Sequence, residues 1–259
     1  MADRAAMAAE RLLTLRSSGE TVTELPSDLQ PRDVAEAYEV QDRMVALRDE
    51  PIAGWKIGAT SAAIQELLGV SEPIAGPLYA STMFPSPAEL KAADFRHYAI
   101  ECEFAFRIGT SLAVGDGLYD QEAVSAAVDA VVPAIELISP VFESPLKGYF
   151  PSRIADGAMS AGIALGPATE VSGAPDLTAS GVALTVDGEE VAKGNGALVL
   201  EDPRRALHWL ANHLKLRGHT LTAGQMVSTG TMTGLTTLNR GQTAEGDFGE
   251  FGSVRVRFV

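Results

Sequence analysis

The feature that most restricts this chain is the run YAIECEFAFRI at residues 98–108. Ile100, Cys102, Phe104, Phe106 and Ile108 take every second position. A strict period of two is a strand period, so one face of this strand is committed to a core. Glu101, Glu103 and Arg107 share the opposite face. Glutamates two apart on a strand have Cα atoms roughly 6.5 Å apart, twice the rise per residue. Their side chains can converge on one hard cation, which prefers oxygen ligands at about 2.0–2.1 Å in the case of Mg²⁺. The plainer reading of the same alternation is the wet face of an antiparallel sheet.

Glu136 weighs against the plainer reading. It stands in VVPAIELI (residues 131–138), apolar on both sides, where no alternation supplies a polar face. An ionised carboxylate is costly to bury without a partner or a metal. Glu101, Glu103 and Glu136 together make a facial set of oxygen ligands that leaves positions for water and substrate, as a catalytic metal requires.

Around these residues the chain divides into two textures. Residues 3–17 and 31–48 carry helical periodicity, and Pro31 suits a helix start because its missing N–H has no partner there. From about residue 51 come short apolar runs punctuated by Gly and Pro: IAGWKIGA, HYAIECEFAFRIG, VPAIELI, GIALG, GVALTVDGEEVAKG, MVSTGTM and SVRVRFV. These read as strands. Asp187-Gly188 suits a two-residue hairpin turn. PRRALHWLANHLKLRG is a predicted helix with Asp202 as N-cap, Pro203 in its first turn, Lys215 and Arg217 in its last, and Gly218 as its stop. EAVSAAVDAV (residues 122–131) is a second predicted helix. The pattern predicts an α+β fold with a mixed β-sheet core: an N-terminal helical cap over 1–50 and a β-rich catalytic domain over 51–259, or one compact unit.

A net charge of −14 argues against nucleic acid and against anionic membranes, because phosphate binding needs clustered cations. The single cysteine, Cys102, excludes an internal disulfide and a CxxC site. No apolar run reaches the ~18 residues of a membrane span, and the charged, amphipathic start lacks a signal core. These features fit a cytoplasmic protein.

Several segments resemble one family. GWKIGATS (54–61), IECEFAF (100–106), AIELI (134–138), IADGAMSAG (154–162) and VSTGTMTG (227–234) are similar, in this order, to motifs of the 2-keto-4-pentenoate hydratase/4-oxalocrotonate decarboxylase family. That family lies within the fumarylacetoacetate hydrolase-like group. AYEVQD (37–42) resembles its N-terminal helix, and RALHWLANHLKLRGHTLTAGQMVSTG its C-terminal helix–strand unit. The resemblance covers nearly the whole chain and implies the fumarylacetoacetate hydrolase C-terminal-like fold. It implies Mg²⁺ or Mn²⁺ held by Glu101, Glu103 and Glu136, and a small 2-oxo or 2-hydroxydienoic acid as substrate. It also implies homo-oligomers and hydratase–decarboxylase complexes, with a place in aromatic compound catabolism.

Lys56 in AGWKIGA is either a snorkelling lysine with its ammonium in water or a cation in a partly dry cleft. Similarity to the family's GxKxG motif implies the cleft and a catalytic part. The Gly/Ala-rich IADGAMSAG lies at the substrate pocket in the similar family, which makes Asp156 and Ser160 candidates. The bland alternative is a tight turn in which Asp156 bonds its own backbone. Thr231 in VSTGTMTG is a third candidate for substrate binding. The four histidines read as structural or solvated, and Cys102 as a buried thiol.

The implied reaction is hydration of a 2-hydroxy-2,4-dienoate to a 4-hydroxy-2-oxo acid through a metal-stabilised enolate. Decarboxylation of a 2-oxo-3-enedioate is the alternative. A hydrolase fits less well, since related hydrolases use an aspartate as third ligand and a histidine on the N-terminal side, and no histidine here precedes His97. Two departures from the family pattern stand out. Ala80 and Ser81 replace an acidic residue or pair, and ISPVFESPLKGYFPSR lacks the usual Asp-Ser-Arg. Both are expected to reshape the pocket. They keep open a reading of another class, an inactive metal-binding assembly partner, against which the retained Lys56 argues.

Overall fold

The computed structural model describes residues 3–259. Two helices open the chain, α1 (Arg4–Ser18) and α2 (Val34–Leu47). Next come β1 (Ile52–Gly58), α3 (Ala62–Leu68), β2 (Ile74–Tyr79), β3 (Met83–Pro85), β4 (Ala88–Leu90) and β5 (Ala99–Ile108). The middle holds α4 (Gln121–Ala126), β6 (Val128–Ile138), α5 (Phe150–Ala155), β7 (Ser160–Leu165) and β8 (Thr169–Glu170). β9 (Gly181–Val186), β10 (Glu189–Asn195), α6 (Pro203–Leu216) and β11 (Met226–Ser228) follow, then β12 (Thr236–Thr237), β13 (Thr243–Asp247) and β14 (Ser253–Phe258).

The strands form two sheets. The larger runs β2-β1-β11-β5-β6-β7-β3, with β12 added to β5 and β8 to β6; the smaller runs β10-β9-β13-β14-β4. Parallel and antiparallel pairs mix in both, so the α+β reading with a mixed sheet holds. The even residues of β5 enter the core between the sheets, as their alternation predicts. Phe104 meets Phe248 and Phe251 edge-on, with ring centroids 5.3 and 5.2 Å away. Such pairs add to the stabilisation from apolar burial.

Helix ends follow their capping residues. Asp3 accepts from the N–H groups of Ala5 and Ala6 ahead of α1. Asp202 accepts from Arg204 N at 2.9 Å ahead of α6, and Gly218 turns left-handed (φ 78°) behind it. Pro31 does not open α2; Asp33 caps that helix by accepting from Glu36 N. The buried stripe of α1 and α2 (Leu12, Leu15, Tyr38 and Met44) packs with Ile74, Ile138, Phe142 and Ile154.

Two other expectations change. The helix predicted over 122–131 stops at Ala126, and Val128–Val132 instead extend β6 against β5, out to the pair Ile108↔Val128. The β-branched residues there gain more from a long-range ladder than from the helical pattern they also satisfy. MVSTGTM is a strand only over Met226–Ser228, after which Gly230 (φ 117°) bends the chain. The carboxylate face of β5 is also not wet, since Glu103 and Ala105 are fully buried.

Candidate metal centre

β5 and β6 are antiparallel neighbours in a register that sets Glu101 directly opposite Glu136. Directly opposed residues have Cβ atoms about 4.5–5.5 Å apart, and like charges in that relation repel. Glu103 lies two residues along on the same face. One carboxylate oxygen from each of the three glutamates falls within 4.8 Å of the others. Glu103 and Glu136 are fully buried, whereas Glu101 reaches a cavity.

The loop after β11 fixes Glu103. Its Oε2 accepts from the Ser228 hydroxyl at 2.5 Å and from Gly230 N at 2.9 Å. Gly230 is required there twice over. Its φ of 117° disfavours a side chain, and a Cβ would come within 2.3 Å of Thr60 Oγ1. Glu103 Oε1 and both oxygens of Glu136 are buried without a hydrogen-bond partner. Buried orphan acceptors of this kind carry the full desolvation cost.

Lys56 on β1 is 2% exposed and holds its Nζ 3.4 Å from Glu136 Oε1. Parallel pairing of β1 with β11 puts Lys56 beside Ser228, which in turn holds Glu103. Three carboxylates against one ammonium leave two negative charges when all are ionised, the charge of one divalent cation. Without a cation the cluster resists ionisation. Burial first, then the neighbouring Glu136, pushes the Glu101 carboxyl up to about 8, with Lys56 opposing. Burial and both neighbouring glutamates raise Glu103 well above the usual range, against the bonds from Ser228 and Gly230. Burial raises Glu136 also, and Lys56 is the largest opposing influence. An all-oxygen donor set with three orphan acceptors fits a hard divalent cation.

Glu101, Lys56 and Thr231 meet on the wall of a cavity of about 430 Å³. Thr231 Oγ1 accepts from Gly234 N at 2.9 Å and from Thr233 N at 3.3 Å, which leaves its hydroxyl proton free for a ligand. The residues after Glu136 do shape this space, through Ile138 and Leu146.

Asp156 and Ser160 do not reach that wall. Asp156 is buried, with Oδ1 2.5 Å from Arg16 Nε and Oδ2 accepting from Val141 N at 2.9 Å. Nor is it the local turn of the bland alternative, because both partners are distant in sequence. Ser160 offers its carbonyl to Arg16 at 3.1 Å, and its buried hydroxyl adjoins Glu136. The loop's contribution to the cavity is Met159.

The altered loop at Ala80 and Ser81 also lies elsewhere. Lys56 pairs with Gly76, and Tyr79 with Ile52, so the loop follows the end of β2 remote from the cavity. Ser81 donates from its N–H and hydroxyl to Glu50, each at 2.8 Å. The cavity therefore loses no acid at these positions, contrary to the expected reshaping. The histidines have structural partners: His97 and His208 bond carbonyl oxygens, His219 bonds Asp42, and His213 stacks on Trp209. Cys102 is buried, its thiol pushed up to about 12 by that burial.

Sequence reasoning passed over Ser228, Gly230 and Arg16 as positioning groups. The serine and glycine lie in the noted VSTGTMTG run, but nothing local points them at Glu103, 125 and 127 residues away.

The fumarylacetoacetate (FAA) hydrolase C-terminal family profile matches residues 61–259. A 2-keto-4-pentenoate hydratase of Burkholderia vietnamiensis is 33% identical over 98% of this chain and 97% of its own. A 4-oxalocrotonate decarboxylase of a Pseudomonas species is 32% identical, over 95% and 94%. The solved 4-oxalocrotonate decarboxylase from Pseudomonas putida G7, complexed with magnesium and adipate, superposes with a TM-score of 0.89 at 29% identity. It covers 98% of this chain and 97% of that one. With matches of this extent, the chain belongs to the fumarylacetoacetate hydrolase C-terminal family, among its 2-keto-4-pentenoate hydratase and 4-oxalocrotonate decarboxylase members.

Proposed function

We propose that this chain is a divalent-metal-dependent hydratase that adds water to a 2-hydroxy-2,4-dienoate to give a 4-hydroxy-2-oxo acid. The observation that carries the proposal is the buried glutamate cluster: Glu103 and Glu136 keep three orphan carboxylate oxygens beside Lys56, and Lys56 and the third glutamate, Glu101, line a cavity. Glu101, Glu103 and Glu136 hold the ion, Mg²⁺ or Mn²⁺. When bound, the ion supplies Lewis-acid stabilisation of negative charge at the substrate's C2 oxygen.

The residues do the rest. Ser228 and Gly230 lock Glu103 in place, and such fixed orientation is what a preorganised site needs. Lys56 orients Glu136 and offers a buried positive charge to the substrate carboxylate. The Thr231 hydroxyl donates to the bound acid. In the reaction the O2 proton leaves and C5 gains one, which gives the conjugated enone. Water then adds its hydroxyl at C4 and its proton at C3. Asp156 serves through Arg16 as an anchor of the loop that brings Met159 to the cavity, and it does not touch substrate. Ser160, whose buried hydroxyl adjoins Glu136 and has no partner of its own, is a donor available to that carboxylate.

Decarboxylation of a 4-oxalocrotonate-type diacid is the second reading, supported by the close superposition on a solved decarboxylase. No described helix is long and apolar enough to cross a membrane. We extend the proposal to a cytoplasmic homo-oligomer, on the family resemblance. The test is turnover of 2-hydroxypenta-2,4-dienoate and of 4-oxalocrotonate with and without Mg²⁺ or Mn²⁺, followed by ultraviolet absorbance. Metal-dependent loss of the dienoate is the expected result. Turnover of the diacid alone transfers the assignment to decarboxylase, and no turnover of either by metal-loaded protein refutes both.

A further inference from the structure

The wall of the cavity is divided in chemistry. Lys56, Glu101 and Thr231 supply its polar part at the glutamate cluster; the rest carries the hydroxyls of Thr60, Ser61 and Thr233 but is mostly apolar, with Ile64, Leu68, Ile138, Leu146, Leu198 and Leu235. These residues come from α3, the end of β6 and three separate loops, so the apolar character is not a by-product of one buried helix face. Besides Lys56 and Glu101, the one charged residue on this wall is Lys193. Its side chain is 78% exposed and its Nζ lies 3.8 Å from Glu190, so it is a solvated cation with its own counter-charge.

Size points the same way. A cavity of about 430 Å³ falls within the range that encloses drug-sized ligands, and a five-carbon dienoate leaves much of it unfilled. A second carboxylate placed among the leucines would find no buried cation to receive it, since Lys193 is solvated and paired with Glu190. A hydrocarbon chain there would gain the usual burial free energy, about three- to fourfold in affinity per methylene.

We propose that the site selects monocarboxylic 2-oxo and 2-hydroxydienoic acids whose far end carries an extended alkyl or aryl substituent, and that it discriminates against dicarboxylates. The inference rests on the proposed function for the acid end of the ligand. It adds the identity of the other end, and it sets the diacid decarboxylase reading second on grounds independent of fold.

Calorimetric titration of the Mg²⁺-loaded protein with non-reacting saturated acids tests it without relying on turnover. Affinity is expected to rise tenfold or more from 2-oxopentanoate to 2-oxooctanoate, and 2-oxoadipate is expected to bind more weakly than 2-oxooctanoate. Leu146 is 41% exposed at the cavity wall, where a charged side chain can be carried without filling the core. Leu146→Arg should narrow or reverse the preference between 2-oxooctanoate and 2-oxoadipate. Equal affinity along the series, or tightest binding of 2-oxoadipate by the unaltered protein, overturns the apolar-end proposal alone. Failure of all three acids to bind metal-loaded protein defeats the acid-end reading and this inference with it.

Discussion

Asp156 and Glu136 are both buried carboxylates, and their surroundings are opposites. Asp156 has an arginine on one oxygen and a backbone N–H on the other. Glu136 faces a second glutamate across the sheet, keeps both oxygens without a hydrogen bond and has Lys56 at 3.4 Å. Burial raises the pKa of each, but the influences opposing that rise at Asp156 come chiefly from Arg16 and Val141. The contrast teaches that burial alone does not mark a functional acid; what matters is whether the surrounding protein completes its bonding. Asp156 is complete and holds the chain together. Glu136 is incomplete, and in the proposed reading a divalent cation completes it.

The comparison can be broken most directly at the incomplete carboxylates. Glu136→Gln or Glu103→Gln should cost about 10³-fold or more in kcat, since the ion's orientation is lost with a ligand. The metal-free variants should melt no lower than the parent. A cooperative unfolding defect with retained specific activity would reverse the assignment. Asp156→Ala should do the opposite, destabilising the fold by about 3 kcal/mol because Arg16, 22% exposed, is left beside an empty site. Denaturant melts would show that loss, while the folded fraction keeps its affinity for metal.

A smaller effect sharpens the contrast through pH. The raised Glu101 carboxyl, at about 8 in the metal-free fold, must lose its proton before it can act as a ligand. Metal affinity should therefore fall on acidification below about pH 8, by roughly tenfold per pH unit for each proton displaced. The stability sign is the reverse. A carboxyl raised on folding contributes stability that is full below its unfolded value and is lost as pH rises through about 8. Metal-free protein should thus lose melting temperature between pH 5 and pH 9 relative to metal-loaded protein. Calorimetry in buffers of different ionisation enthalpy, with paired melts, measures both.

What could be read from the sequence follows the range of the interaction. The alternation through Ile100–Ile108 is local, and it separates the core face of β5 from the face carrying Glu101 and Glu103. Glu136 stands out because its own neighbours are apolar. The caps of α6 are local as well. By contrast, Asp156 finds Arg16 across 140 residues, and its Gly/Ala-rich setting suggests a ligand loop while hiding the ion pair. Val128–Val132 satisfy a helix pattern until β5 is available to pair with them. The same blindness applied to Ala80 and Ser81: only the β1–β2 register shows that this loop lies away from the cavity.

Strand order adds a consequence for how the chain is made. β1, β5 and β6 are all synthesised by residue 138, yet β11, residues 226–228, lies between β1 and β5. Until that short strand emerges from the ribosome, Lys56 lacks its place beside Ser228, and Glu103 has neither of its two donors. Contacts so distant in sequence form late and slowly. The surroundings of the carboxylate cluster are therefore completed only when residues 226–230, from the last part of the chain to be made, dock between β1 and β5.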